Sequence, residues 1–194
     1  MLTKTIISFT VCDDLLKSLN IQDDKQCRMS SSEVMTVGIV AALFYGGNIQ
    51  TARKFLSLSN LIPKMISHCR LIRRLLEIPQ YIWQAAFYLI RQLLGLIQKP
   101  TDYIVDSCPL PVCHPCRSWR CKIYKGKEYL GYCAAKKLRY YGLKLHIIVS
   151  ENGLIMEFMF SPASWADIKA LKNMQLDIPP SYLFADKAYT SYEF

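Results

Sequence analysis

A chain of 194 residues accommodates one compact domain with a helical appendage, or two small domains, and its 52% apolar share is enough for a genuine core. The formal charge of +9 is unevenly spread: residues 107–141 hold eight Lys and Arg against the single acid Glu128, while residues 1–106 carry a net +4 and residues 142–194 a net −2. That distribution excludes an evenly balanced surface and suits a polyanionic partner, with a solvated basic face as the plainer alternative.

The first hundred residues read as helical. Residues 1–10 hold one lysine, and the apolar run 6–11 is too short for a signal peptide and meets Asp13 and Asp14. Ser30-x-x-Glu33 is a capping box ahead of VMTVGIVAALFY, which stops at Gly46-Gly47. A shorter helix follows over residues 50–58. Pro63 precedes the helical stretch KMISHCRLIRRLLE, and Pro79 opens QYIWQAAFYLIRQLLGLI, where it suits a first helical turn. Arg70, Arg73 and Arg74 share one face, for which a solvated role is preferred to phosphate contact. No span has the ~20 uninterrupted apolar residues of a membrane helix, because Gln84, Arg91 and Gln92 break residues 81–97. The expectation is a soluble, intracellular protein without a membrane partner.

The pattern changes after Lys99-Pro100. DYIVDS reads as a short buried strand, followed by a long basic insertion. YGLKLHIIVS and LIMEFMF read as two strands joined by a hairpin turn at Glu151-Asn152-Gly153. WADIKALKNM is helical, with Ser164 or Asp167 near its start, and SYLFAD is a second short buried strand after Pro179-Pro180. The order strand, basic insertion, strand, strand, helix, strand predicts an α/β fold with a mixed sheet. Residues 1–99 then form a helical N-terminal region for DNA binding or assembly, and residues 100–194 a separate α/β domain.

Asp106 and Asp186 stand at the ends of the two apolar strands. An isolated carboxylate there is costly unless it is paired, hydrogen-bonded or bound to a cation. Taken singly, each is explained by capping a turn or pairing with a neighbour such as Lys187. Taken together, YIVDS, KKLRYYGLKLH and ADKAY in this order resemble the DDE transposases of bacterial insertion sequences. The likeness is close over residues 100–194, and SSSEVMTVGIVAALFYGGNIQTARKFL is similar to that family's helical N-terminal part. The resemblance implies an RNase H-like core in which Asp106 is the first catalytic acid and Asp186 the second, both ligands for Mg2+ or Mn2+. It also implies a third acid, a Glu on a helix well downstream of DKAY. Glu193 is too close to Asp186 to match it, so the expectation is a domain cut short and inactive as it stands. Relatives carry a His where this sequence has Ala166, so Asp167 is read as a helix-start residue. The implied partners are element-end and target DNA, with a homo-oligomeric transposition complex in the bacterial cytoplasm, at the nucleoid.

The insertion supplies Arg117, Arg120, Lys122, Lys125, Lys127, Lys136, Lys137 and Arg139 as candidate phosphate contacts. Trp119, Tyr124, Tyr129, Tyr132, Tyr140 and Tyr141 are interleaved with them; rings in such company stack on exposed bases, although Tyr140 and Tyr141 read as core residues. Cys108, Cys113, Cys116 and Cys121, with His114 beside them, include one CxxC. A structural zinc needs four converging ligands, and a single CxxC among Pro109, Pro111 and Pro115 is weak support, so reduced thiols are expected and zinc is not. His68 and His146 read as packing residues, His146 being the nearer to the site. The rival to a transposase is a non-catalytic DNA-binding protein, either a regulator or a zinc-stabilised module.

Overall fold

The computed structural model describes residues 1–134, 137–174, 176 and 182–189, with Gln98 described in its backbone only. It divides into two compact units, Met1–Ile90 and Arg91–Phe194. Five helices open the chain: α1 (Leu2–Ser18), α2 (Ser31–Tyr45), α3 (Ile49–Leu58), α4 (His68–Glu77) and α5 (Gln80–Gln98). The capping box forms: Ser30 Oγ accepts the amide of Glu33 at 3.2 Å, and Glu33 Oε2 accepts that of Ser30 at 2.7 Å. Gly46, in the left-handed region, closes the same helix. α2 buries Val34, Val37, Val40 and Ala41 against Ala52, Leu56 and Leu71, while Met35 packs with Leu15, Leu16 and Ile82.

Two expectations change in this unit. Helix α4 begins at His68 and not directly after Pro63, so residues 64–67 are extended or turned. Arg74 does not belong to a solvated face: its guanidinium donates to Asp23 Oδ1 at 2.8 Å, to Ser31 Oγ at 3.0 Å and to the Met29 carbonyl. It ties the start of α2 to α4. Among the described residues, no single helix is long and apolar enough to cross a membrane.

The second unit is built on β1 (Asp102–Cys113), β2 (Leu130–Cys133), β3 (Leu138–Ser150), β4 (Ile155–Pro162) and β5 (Tyr182–Ala185), with α6 (Asp167–Asn173) between the last two strands. The sheet runs β2-β3-β1-β5, and β4 pairs with β3 beyond the stretch that β2 occupies. All pairings are antiparallel except β1 with β5. The hairpin turn falls where expected, with Gly153 at φ +81. The mixed sheet after a helical region is the predicted fold class.

Three details depart from the sequence reading. β1 runs on through Cys108, Pro109 and Pro111, residues expected in a loop. Pro109 and Pro111 lie opposite Lys144 and Gly142, whereas β5 covers β1 only from Asp102 to Val105. Sharing one parity, their missing N–H groups can both face the uncovered edge, where proline removes no ladder bond. The insertion also contains β2, a four-residue strand that no pattern announced. Finally, β5 is not buried: Tyr182 and Phe184 are 75% and 56% exposed. One face of the sheet, with Tyr103, Val105, Ile148 and Met156, packs on Met174, Leu171 and Tyr189. The opposite face leaves Ile104, Phe160 and Phe184 exposed.

Candidate metal and DNA site

Strand register brings the two aspartates together. The parallel ladder pairs Asp102 with Tyr182 and ends at Val105 with Ala185, so Asp106 and Asp186 are the next residues on neighbouring strands. Neighbouring strands lie roughly 4.8 Å apart, so two residues far apart in sequence face each other across a single short gap. Both side chains are exposed. Asp106 Oδ1 accepts the amide of Ser107 at 2.7 Å, and Asp186 Oδ1 accepts that of Lys187 at 2.6 Å. Each carboxylate is thus oriented by its own backbone and enters no ion pair with a described residue.

A polar cluster backs this pair on the covered face. Beyond Asp186 the 3-10 turn Lys187–Tyr189 folds Tyr189 inward, its amide donating to the Asp186 carbonyl at 3.0 Å. The Tyr189 hydroxyl lies 3.3 Å from His146 Nδ1, within hydrogen-bonding distance. Burial pushes this hydroxyl up to about 12, opposed by the neighbouring Ser107 hydroxyl and reinforced by the negative fields of Asp167, Asp106 and Asp186. One phenol therefore senses three carboxylates. His146 is fully buried, with Nε2 2.9 Å from Ser161 Oγ and Nδ1 3.8 Å from Asp167 Oδ1. Burial holds its pKa below the ordinary 6.5; Asp167 opposes that shift and Lys144 adds to it. Lys144 Nζ donates to Asp167 Oδ1 and to the Trp165 carbonyl, both at 3.0 Å. Asp167 is the first residue of α6, as expected, but it also forms this ion pair.

Ser107, Lys144, Ser161 and Tyr189 were not singled out in the sequence. Tyr189 lies inside DKAY and Lys144 inside KKLRYYGLKLH, so the motifs contained them. What the motifs lacked was the strand register that aims them at His146.

The insertion cations are placed differently from one another. Lys125, Lys127 and Arg139 line one hollow together with Trp119, and the Arg120 guanidinium stacks 4.4 Å from the Trp119 ring. Arg117 lies with Arg120 in the 3-10 turn Pro115–Arg120, Lys122 follows it, and Lys137 occupies a left-handed turn before β3. Lys136 and Glu193 fall outside the described residues. Of the rings, Tyr140 and Tyr141 are core residues at 4% exposure, and Trp119 is 75% exposed.

The cysteines do not gather. Cys108 and Cys113 lie five residues apart along β1, roughly 16 Å in an extended strand, whereas zinc–sulfur bonds are ~2.3 Å. Burial first, then the neighbouring Cys121, raises the pKa of Cys113. Among the described residues, no group of three or more His, Cys, Asp or Glu side chains could hold a metal ion. Cys108, Cys113, Cys116 and Cys121 do not come together as such a group among the described residues.

Four strands paired antiparallel, a parallel fifth strand and an Asp at the end of each parallel partner are consistent with an RNase H-like DDE domain. Comparison with known families agrees: residues 98–194, half of the chain, match the transposase DDE domain, and the chain belongs to that family. Comparison with curated proteins and with solved structures gave no match. Membership carries transposase function in general, divalent metal ions as the cofactor class and DNA as the partner.

Proposed function

We propose that Asp106 and Asp186 are the first two metal-binding carboxylates of a transposase that cleaves and joins phosphodiesters at the ends of its own element. The observation that carries this reading is the β1–β5 register, which sets both aspartates one step past the last paired residues. Their donor set fits a hard dication such as Mg2+ or Mn2+: carboxylate oxygens, exposed, in no ion pair with a described residue and already oriented by the Ser107 and Lys187 amides. Such ions, when bound, polarise the phosphate and stabilise the attacking and leaving oxygens. The chain's own contribution is positional. Tyr189 ties the turn after β5 to β3 through its hydrogen bond with His146, and the Lys144–Asp167 pair keeps a third carboxylate neutralised beside His146. Arg117, Arg120, Lys122, Lys125, Lys127, Lys137 and Arg139, with Lys136, bind DNA phosphates without reading sequence. The protein acts as a homo-oligomer on DNA in the bacterial cytoplasm.

Two carboxylates supply too few oxygens for both ions of a two-metal reaction, so a complete site needs further oxygen ligands beside Asp106 and Asp186. Calorimetric titration with Mn2+ tests the site. Asp106→Asn and Asp186→Asn are each expected to weaken binding tenfold or more; unchanged binding in both would remove the assignment. Manganese-dependent cleavage of end-bearing DNA by the 194-residue chain would show that two acids suffice. For the DNA contacts, replacing Lys136, Lys137 and Arg139 by alanine should flatten the salt dependence of affinity by up to about 2.7 in log–log slope. An unaltered slope would place the DNA elsewhere.

A further inference from the structure

The hollow beside the basic loop lies apart from the aspartate pair, and neither the fold nor the family assigns it a ligand. It measures about 520 Å³, within the size range of small-ligand sites. We propose that it receives one unpaired nucleotide of DNA, the base stacking against Trp119 over Leu130 and the phosphate resting on Lys125, Lys127 and Arg139. The proposal rests on the DNA-binding reading above and narrows it to an unpaired strand.

The chemistry of the walls is the argument. Trp119 is 75% exposed, yet its position is fixed, because its indole Nε1 donates to the Cys116 carbonyl at 3.1 Å and the Arg120 guanidinium stacks 4.4 Å from its ring centre. The indole donor is spent, so what it offers a ligand is a flat apolar surface. Tyr141 is likewise spent: its hydroxyl donates toward the carbonyls of Tyr124 and Gly126, at 3.2 and 3.1 Å. Leu130, 41% exposed, adds an aliphatic surface. Rings without a directional donor accept any base, since every base has a π-face. Three cations line the same hollow, and among the described residues no carboxylate does; the Glu128 carboxylate lies against Gly126 and is not part of the lining. A flat apolar ring carrying an anion satisfies both halves of this lining. A base within a duplex does not, because its faces are already stacked on neighbouring pairs.

The test uses the whole chain in EDTA, so that it is independent of the aspartate site. A short duplex with blunt ends is compared with the same duplex bearing a single-strand overhang that contains 2-aminopurine. The overhang duplex is expected to bind about tenfold more tightly, the scale of one base–aromatic stack, with quenching of the 2-aminopurine emission. Trp119→Ala should remove the preference and the quenching while leaving blunt-duplex affinity and its salt slope unchanged. Trp119→Phe should keep most of both, which guards against a merely misfolded loop. Equal affinity for the two duplexes, or a preference indifferent to Trp119→Ala, overturns the pocket while leaving general DNA binding intact. Absence of binding to either duplex overturns both.

Discussion

At the scale of single residues, His146 makes a demand that can be measured. It is fully buried and meets Asp167 and Lys144 as charged neighbours, Ser161 and Tyr189 as hydroxyl neighbours. Burial dominates and its folded pKa lies below 6.5. The unfolded chain therefore takes up the proton first as pH falls. The stability from neutral His146 is complete above about pH 6.5 and is lost as pH drops from there through the folded pKa. Urea denaturation between pH 7.5 and 5.5 should show the wild type losing stability more steeply than His146→Gln; parallel slopes would mean that His146 takes up its proton equally well folded and unfolded. The same residue shows where sequence reading reached its limit. Its burial near the site was expected, but its partners Ser161 and Tyr189 stand 15 and 43 residues away, and only the pairing of β3 with β4 and the turn after β5 brings them in.

At the scale of elements, local chemistry predicted what is locally encoded. The capping box at Ser30, the stop at Gly46 and the turn at Gly153 all formed, because each depends on a few adjacent residues. β2 stayed hidden because LGYC shows no decisive alternation and is held by β3. The length of β1 was hidden by its prolines, whose tolerance depends on an edge that β5 leaves uncovered. Glycines separate the two kinds of element. A Cβ on Gly142 would sit 2.2 Å from the Leu110 carbonyl oxygen, a backbone atom that cannot turn aside. Gly142→Ala should therefore force β1 from β3 and destabilise by at least about 2 kcal/mol, in the range of core overpacking. Gly95, within α5, has nothing within 4 Å of its hypothetical Cβ. Gly95→Ala should raise stability by about 0.5–1 kcal/mol, measured by the same denaturation. A stabilising Gly142→Ala would contradict the close strand approach.

For the molecule as a whole, the family resemblance and the alternation of strands with α6 foretold the mixed sheet, while the exposure of β5 followed from neighbours that no pattern of residues names. The pairing of Asp106 with Asp186 rests on just four parallel steps, from Asp102–Tyr182 to Val105–Ala185. Contacts that span eighty residues of sequence carry a high closure entropy and form late. Elements held by few buried contacts open locally at low free energy. The amides of β5 should therefore exchange with deuterium faster than those in the middle of β3, and Mn2+ should slow them by mass action if it bridges the two strand ends. Protection of β5 equal to that of β3 without metal would mean that this edge is already locked. Otherwise the last strand behaves as a latch: ion occupancy and strand closure become one equilibrium, and the concentration of free dication sets the fraction of molecules in which the two aspartates face each other.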